Sequence, residues 1–431
     1  MADKPGGPAR QLILALTAVA VLTAGCTSAG ATGGAALSAR DRGWQRDVVY
    51  LAGKLPLVHA NGITHGSRAG WDAAASRLEA RVPSLSNGQV LVGLAQLVAR
   101  LHDDETQPVW QTSHWYPFIL RQIGAGTYVA LAPAADRWLL GARLVSIDGH
   151  PLAQVMDRLL SVIDFQDPGL ARELAIGAYQ SGYQPGLVNR AELLFWLGLT
   201  RSESGADFTV EPVGGGVRTV ELPSSTTFPK MVSVPLPLYQ QNTSQPYWLR
   251  VLASQDAVYL KYTECLSGPG FGRLAARALA IMRAHPGYRL IVDLRDNGGG
   301  DTTPFQSLIS GLRADPAINV TGRIFGLING NTDSSATLDA GSLSTQVHGL
   351  LIGQQAADPV DEYGDDDNVL RLPYGGVQVD YTTAVVNSPF NEVGIPAIKV
   401  APTLRQVLAG TDPVLAAALN FGHKKVLNDG P

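Results

Sequence analysis

The stretch YRLIVDLRDNGGGD, Tyr288 to Asp301, decides how the chain is read. Leu290, Ile291, Val292 and Leu294 surround the single carboxylate of Asp293, and the run then breaks into Arg295, the pair Asp296–Asn297 and three glycines. Such a pattern predicts a buried strand that delivers its backbone to a site at a flexible, charged turn. The neighbouring segments alternate. AVYLKYTEC (257–265) reads as a strand, FGRLAARALAIMRAH (271–285) as an amphipathic helix, and TPFQSLISGLRA (303–314) as a second helix. RIFGLING (323–330) is a strand, SSATLDAGSLST (334–345) begins a helix, and VHGLLIG (347–353) is again a strand. Strand–helix alternation predicts parallel strands joined by crossover helices, with a site at their carboxyl ends.

At 431 residues the chain has room for two or three domains. A hydrophobic content of 45% against 16% charged residues supports a large core. The net charge of −4 and the lack of a basic run give no footing for nucleic acid. Lys4 and Arg10 precede the apolar run LILALTAVAVL (12–22), too short for a comfortable membrane span, and TAGC then ends at Cys26. That leader resembles a bacterial lipoprotein signal, which implies cleavage before Cys26 and lipidation of its thiol. The protein is then anchored by lipid on the extracytoplasmic face of the cell membrane. An ordinary signal peptide, giving a secreted protein, is the alternative. Cys265 is the only other cysteine, so a lipidated Cys26 leaves no intramolecular disulfide; Cys265 reads as a small buried hydrophobe.

The expected organisation is a signal at 1–26, a small-residue tether at 27–43, and a helical region at 44–115. A middle α+β region with its connector follows at 116–245, and the domain of alternating strands and helices spans 246–431. Helical spacing begins at Trp44, and Ser86 is the expected N-cap of the third helix. In the middle region GARLVSIDG (141–149) is similar to a stretch of PDZ-type peptide-binding modules, with Asp148–Gly149 as a tight turn. His150 beside it reads as a turn residue. Residues 223–246, rich in Ser, Thr, Pro and Gln, read as a connector.

Two strand ends carry the chemistry, DLRDNGGGD (293–301) and INGNTDSSATLDAG (328–341). The glycine turn lacks both phosphate-loop spacings, and Asp296 and Asp301 flank it and would repel phosphate. Its glycines would instead let backbone N–H groups approach a reacting oxygen. A serine at a helix start is commonly just a cap. One strand–helix unit beyond a glycine turn, however, it has the placement of a nucleophile beside an oxyanion hole. The acidic run DEYGDDD (361–367) lacks EF-hand spacing and reads as a solvated hairpin, and no metal or organic cofactor is expected.

These motifs resemble the tail-specific, or C-terminal processing, serine proteases, which share a core with the tricorn protease and with interphotoreceptor retinoid-binding protein. IVDLRDNGGG is similar to that family's Asp-Leu-Arg-x-Asn-x-Gly-Gly, and TDSSATLDA to its serine segment, in which the nucleophile precedes an alanine. The resemblance spans about residues 45–423. It implies an α/β fold: a crotonase-like, ClpP-type catalytic domain with an N-terminal helical region and a PDZ-like middle region. It also implies Ser335 as nucleophile, Gly299 and Ala336 as oxyanion donors, and a peptide or protein substrate.

The departures concern the base. One branch of the family has a lysine about two dozen residues after the serine, where this chain reads GQQAADPVDEYG. The other has a histidine in an Asp-x-His-Thr stretch, where Asp103 and Thr106 match but Glu105 replaces the histidine. An exposed glutamate, with a pKa of about 4.3, is a weak base for a hydroxyl. His102 would share a helical face with Glu105 if the third helix continued. His59, His65 and His114 are further imidazoles without a motif, and Glu392 is the counterpart of a late acidic residue. Two readings follow: a membrane-anchored serine peptidase, or a binding lipoprotein of the same fold that has lost catalysis.

Overall fold

The computed structural model describes residues 36–63, 66–103, 105–165, 168–177, 185–357, 361–364, 368–388, 390 and 394–422. Three helices come first: α1 (Ala39–Val58), α2 (Arg68–Arg81) and α3 (Asn87–Val98). The first begins earlier than apolar spacing suggested, because the Ser38 hydroxyl accepts the Asp41 N–H at 3.0 Å and caps it. Residues 39–43 are therefore helix rather than tether. Pro56 inside α1 cannot donate to the Ala52 carbonyl, and the Trp71 indole of α2 donates to that oxygen instead at 3.0 Å. Ser86 and Gln89 cap α3 reciprocally.

A two-residue strand β1 (Gln107–Pro108) leads to the middle region. Its sheet contains β2 (Ile119–Ile123), β3 (Gly126–Pro133), β4 (Arg143–Ile147), β6 (Gly205–Glu211) and β7 (Arg218–Pro223), hydrogen-bonded in that order. The short β5 (His150–Pro151) pairs with β4 through a turn in which Asp148 (φ 46°) and Gly149 (φ 84°) are both left-handed. Helices α4 (Leu152–Leu160), α5 (Pro168–Ile176) and α6 (Ala191–Trp196) cover this sheet in one apolar core with Val92 and Ala95 of α3. The expected connector is not structureless: β8 (Met231–Ser233) adds to β3.

The catalytic-side sheet runs β18–β13–β12–β11–β10–β9. Its strands are β9 (Tyr247–Leu252), β10 (Ala257–Tyr262), β11 (Arg289–Asp293), β12 (Ile324–Ile328), β13 (Gly349–Gly353) and β18 (Ile398–Lys399). All neighbours from β10 to β18 are parallel, and only β9 is antiparallel. The crossovers α7 (Gly270–Ala284), α8 (Gln306–Arg313) and α9 (Ser335–Thr345) share one face and its core. After a short α10 (Leu404–Leu408), α11 (Pro413–Leu419) covers the other face. The result is a mixed α/β fold with N-terminal helices and an antiparallel middle sheet, as the sequence predicts.

One connection is long. Between β13 and β18 the chain forms β14 (Asp361–Gly364), β15 (Asn368–Arg371), β16 (Gln378–Tyr381) and β17 (Ala384–Asn387). The β15–β16 hairpin pairs with β1, and its Leu370, Leu372, Val377 and Val379 fill the core of the N-terminal helices. Asp47 of α1 holds the hairpin tip by accepting the N–H groups of Tyr374 and Gly375 at 2.8 and 2.6 Å.

Candidate active site

The central strand β11 is buried along its length after Arg289 and ends in a charged lock. Arg295 folds back so that Nε meets Asp293 Oδ1 at 3.0 Å, while Nη1 and Nη2 grip both oxygens of Asp412 at 2.9 and 2.7 Å. Tyr259 donates to Asp293 Oδ2 at 2.6 Å, and the guanidinium lies 3.8 Å from the Tyr239 ring centre. Burial opposes ionisation of Asp412, but Arg295 and the N–H groups of Leu415 and Val414 hold its pKa below the ordinary carboxylate value. Asp412 is also the N-cap of α11, so the lock ties the strand end to the far-side helix. Asp293 and Arg295 thus fix the turn and are spent in doing so.

The turn itself is set by Asn297. Its Oδ1 accepts the Gly299 N–H at 2.9 Å, its Nδ2 donates to the Tyr262 carbonyl, and its own carbonyl accepts the Asp333 N–H. Cys265 brackets the glycines from β10's side, donating to Gly299 O and accepting from the Asp301 N–H. Gly299 and Gly300 take φ values of 96° and 127°. A Cβ on Gly299 would lie 2.6 Å from Ser334 Cβ, and one on Gly300 would lie 2.4 Å from the Cys265 carbonyl oxygen. Only glycine fits either place.

Opposite the turn, Ser334 has φ 50° and ψ −132°, a combination that costs a non-glycine residue about 1–3 kcal/mol. It stands between Thr332 and Asp333, both buried, and the first turn of α9. The backbone there is fixed by Thr332 Oγ1 on Leu294 O, Asp333 N–H on Asn297 O and Thr337 Oγ1 on Thr332 O. A serine on a strained strand-to-helix turn is the geometry of a nucleophile elbow. Its hydroxyl lies against Gly299 and has no hydrogen-bond partner among the described residues. Ser335, the residue expected to attack, already donates its hydroxyl to the Gly300 carbonyl at 2.6 Å.

The expected oxyanion donors are also engaged. The Gly299 N–H is held by Asn297 and the Ala336 N–H by the Asp333 carbonyl at 3.0 Å. The Gly300 and Ser335 N–H groups, on the two sides of the cleft between turn and helix, have no partner among the described residues, and neither do those of Asn297 and Gly298. On each side an adjacent residue, rather than the expected one, leaves its N–H unengaged. This follows from the Asn297 bond on one side and from the turn at Ser334 on the other.

The expected base residues stand on a different loop. α3 stops at Val98 and His102 has φ 57°, so the helix does not carry His102 and Glu105 on one face. The exposed His102 ring meets Phe165 of the middle region, 6.4 Å between centres. Asp103 anchors the loop. Its Oδ2 accepts from Thr106, Thr382 and His59 at 2.6, 2.6 and 2.8 Å, and its Oδ1 accepts the Glu105 N–H at 2.9 Å. His59 is buried and its other nitrogen faces the Asn61 N–H, so both ring atoms are in use. His114 pairs with Glu192 at 2.9 Å, and His150 meets Gln154 at its turn. No hydrogen bond joins Ser334 or Ser335 to an imidazole or to Glu105 among the described residues. Cys26, His65 and Glu392 lie outside the described residues, although Gly394 reaches Ala356 and Thr337 beside α9.

No family model matches the sequence, and no curated protein matches it. Solved structures do match. Mature CPAF complexed with lactacystin superposes with a TM-score of 0.61 at 12% identity, over 89% of this chain and 100% of that one. Mature CPAF gives 0.59 at 12% identity, over 91% and 99%. The chain has the fold of CPAF, an S41-type protease fold. The likeness spans the helices, the middle sheet and the catalytic-side sheet together.

Within this CPAF-like fold two buried ionisable groups escaped the sequence reading. Lys261 lies in β10, all six residues of which are buried, and its Nζ donates to the carbonyls of Asp293 and Arg295. Burial lowers its pKa, with Asp293 acting the other way. Asp339, buried in α9, accepts from the Cys265 thiol at 3.6 Å; burial, reinforced by Asp339, pushes that thiol far up and leaves it unreactive. The available signal was a lone charge inside an apolar strand and an acid on an otherwise apolar helix face. Both brace the turn from behind.

Proposed function

We propose that the protein is a serine hydrolase of peptide bonds, with Ser334 as the attacking residue. The observation that carries this is the strained Ser334 turn facing two unengaged N–H groups. The Ser334 hydroxyl adds to the substrate carbonyl, and the oxygen's developing charge is met by the Gly300 and Ser335 N–H groups, the latter at the positive end of α9. The hydroxyl proton passes to a base and then to the leaving amine. The resulting acyl-enzyme is hydrolysed by water. Glu105 on the Asp103 loop and Glu392 are the carboxylates proposed to serve proton transfer. The Ser335–Gly300 hydrogen bond keeps the two sides of the cleft in register. We further propose that Cys26 is lipidated and holds the enzyme at the extracytoplasmic face of the membrane; among the described residues no helix is long and apolar enough to span one.

A second reading, a peptide-binding protein without turnover, is favoured by one observation: among the described residues neither serine is bonded to an imidazole. A fluorophosphonate probe separates the two. Labelling of the wild type that is lost in Ser334→Ala and kept in Ser335→Ala supports the proposal. Loss only in Ser335→Ala moves the attack by one residue, and a folded protein that does not label favours the binding reading.

A further inference from the structure

Helix α1 buries one side in the N-terminal core through Trp44, Val48, Leu51, Ala52 and Leu55. Its other side is not a typical charged surface. Val49 (55% exposed), Tyr50 (41%) and Leu57 (75%) lie outward together with Gly53. The exposed cations Arg42, Arg46 and Lys54 accompany them. Helical spacing places positions 43, 46, 50, 54 and 57 in one stripe, about 20 Å long. At its start the ring of Tyr374, 45% exposed, lies against Gly43 and edge-on to Trp44, adding a second aromatic. None of the three cations is ion-paired among the described residues, and no exposed carboxylate belongs to the stripe.

We infer that this face of α1 lies on an anionic bilayer surface. Cations flanking apolar and aromatic side chains are what an interfacial helix presents: the rings sit at headgroup level, and the basic stems extend along the apolar surface to reach phosphate. The inference rests on the lipid-anchor reading for its geometry. Residues 27–38 join Cys26 to the cap of α1, and twelve residues of this small, Gly- and Ser-containing composition would span about 20 Å on average as a random coil. The anchor therefore holds the stripe close to the headgroups, where even a weak surface affinity is populated. Cations near such a surface are drawn to it, and apolar insertion adds to that attraction. The stripe would thus set the orientation of the body as well as its retention.

The test uses the leader-processed chain, residues 26–431 with Cys26→Ser, which keeps every described residue and carries no lipid. Its partitioning to sedimenting vesicles of phosphatidylcholine with about 30% phosphatidylglycerol should exceed that to pure phosphatidylcholine by at least fivefold. The difference should vanish in Arg46→Glu/Lys54→Glu/Leu57→Glu, whose circular dichroism should match the parent because all three side chains are exposed. Hydroxyl-radical footprinting should show Tyr50 protected on anionic vesicles only. Equal binding to both vesicle types, or no protection of Tyr50, overturns the inference. Protection of Tyr50 without vesicles that rises with protein concentration also overturns it, by assigning the face to a second copy. The mass of the N-terminal peptide from cells reads the anchor separately: an unlipidated Cys26 with anionic binding intact would sink the anchor and leave the stripe standing.

Discussion

The carboxyl end of β11 and the Asp103 loop are both tightly held, and they are held for different ends. At β11 every constraint bears on backbone: Arg295 between two aspartates, Asn297 on Gly299, Cys265 around the glycines, Lys261 behind the last carbonyls. What emerges is a set of unengaged N–H groups beside a strained serine, Ser334. At the loop, four donors fix Asp103, yet the product is the position of one side chain, Glu105. A backbone device keeps its function through many substitutions of its surroundings. A side-chain device changes with one codon. The comparison teaches that, on the proposed reading, the half that would hold a carbonyl is over-determined and the half that would transfer a proton is not.

The largest effect should come from Arg295→Met. It leaves Asp412 buried without its cation and Asp293 with only Lys261, 3.9 Å away, and should cost about 3–5 kcal/mol in denaturant unfolding. A cost below about 1 kcal/mol would show that the lock is dispensable to the turn. Next, Gly299→Ala places a methyl group against Ser334 and should lower the fluorophosphonate labelling rate about 100-fold or more, while the protein remains folded. Third, Glu105→His puts an imidazole on the anchored loop and should raise the labelling rate about tenfold, with the gain following imidazole deprotonation between about pH 6 and 7. An unchanged rate would separate the loop from the serine.

The smallest effect concerns Glu173 of α5. Burial pushes its pKa up to about 7, with Arg121 opposing and Asp296 adding repulsion. Its value in the unfolded chain is the lower one, about 4.5, so the folded protein binds an extra proton between the two. Stability from this group is full below about pH 4.5 and falls as the pH rises to about 7, by about 1–3 kcal/mol. Glu173→Gln should flatten that slope in chemical denaturation at pH 5 and 7; an unaltered slope assigns it to other groups.

The parallel strands, the crossover helices, the cap at Ser86 and the turn at Asp148–Gly149 were legible because each follows from local pattern. The choice between Ser334 and Ser335 was not. Both residues are serine, an alanine follows the second, and only the backbone dihedral at Ser334 separates them. The engagement of the Gly299 N–H was hidden for the same reason, since it depends on where Asn297 Oδ1 goes. The membership of Leu370 and Val379 in the N-terminal core was likewise hidden, because a hairpin of alternating residues does not announce its partner. His102 was misplaced by extending α3, which ends at Val98, four residues before it.

The β15–β16 hairpin has a further consequence, for the order in which the chain is made. The three N-terminal helices emerge from the ribosome first, yet the side chains that fill their core are translated more than 270 residues after α3 ends. The hydrogen bonds from Asp47 to Tyr374 and Gly375 span 327 and 328 residues. Contacts so distant in sequence are slow to form and leave apolar surface waiting. The helices must therefore persist as an incomplete half until the last quarter of the protein arrives, and no N-terminal fragment that ends before residue 381 holds a finished core.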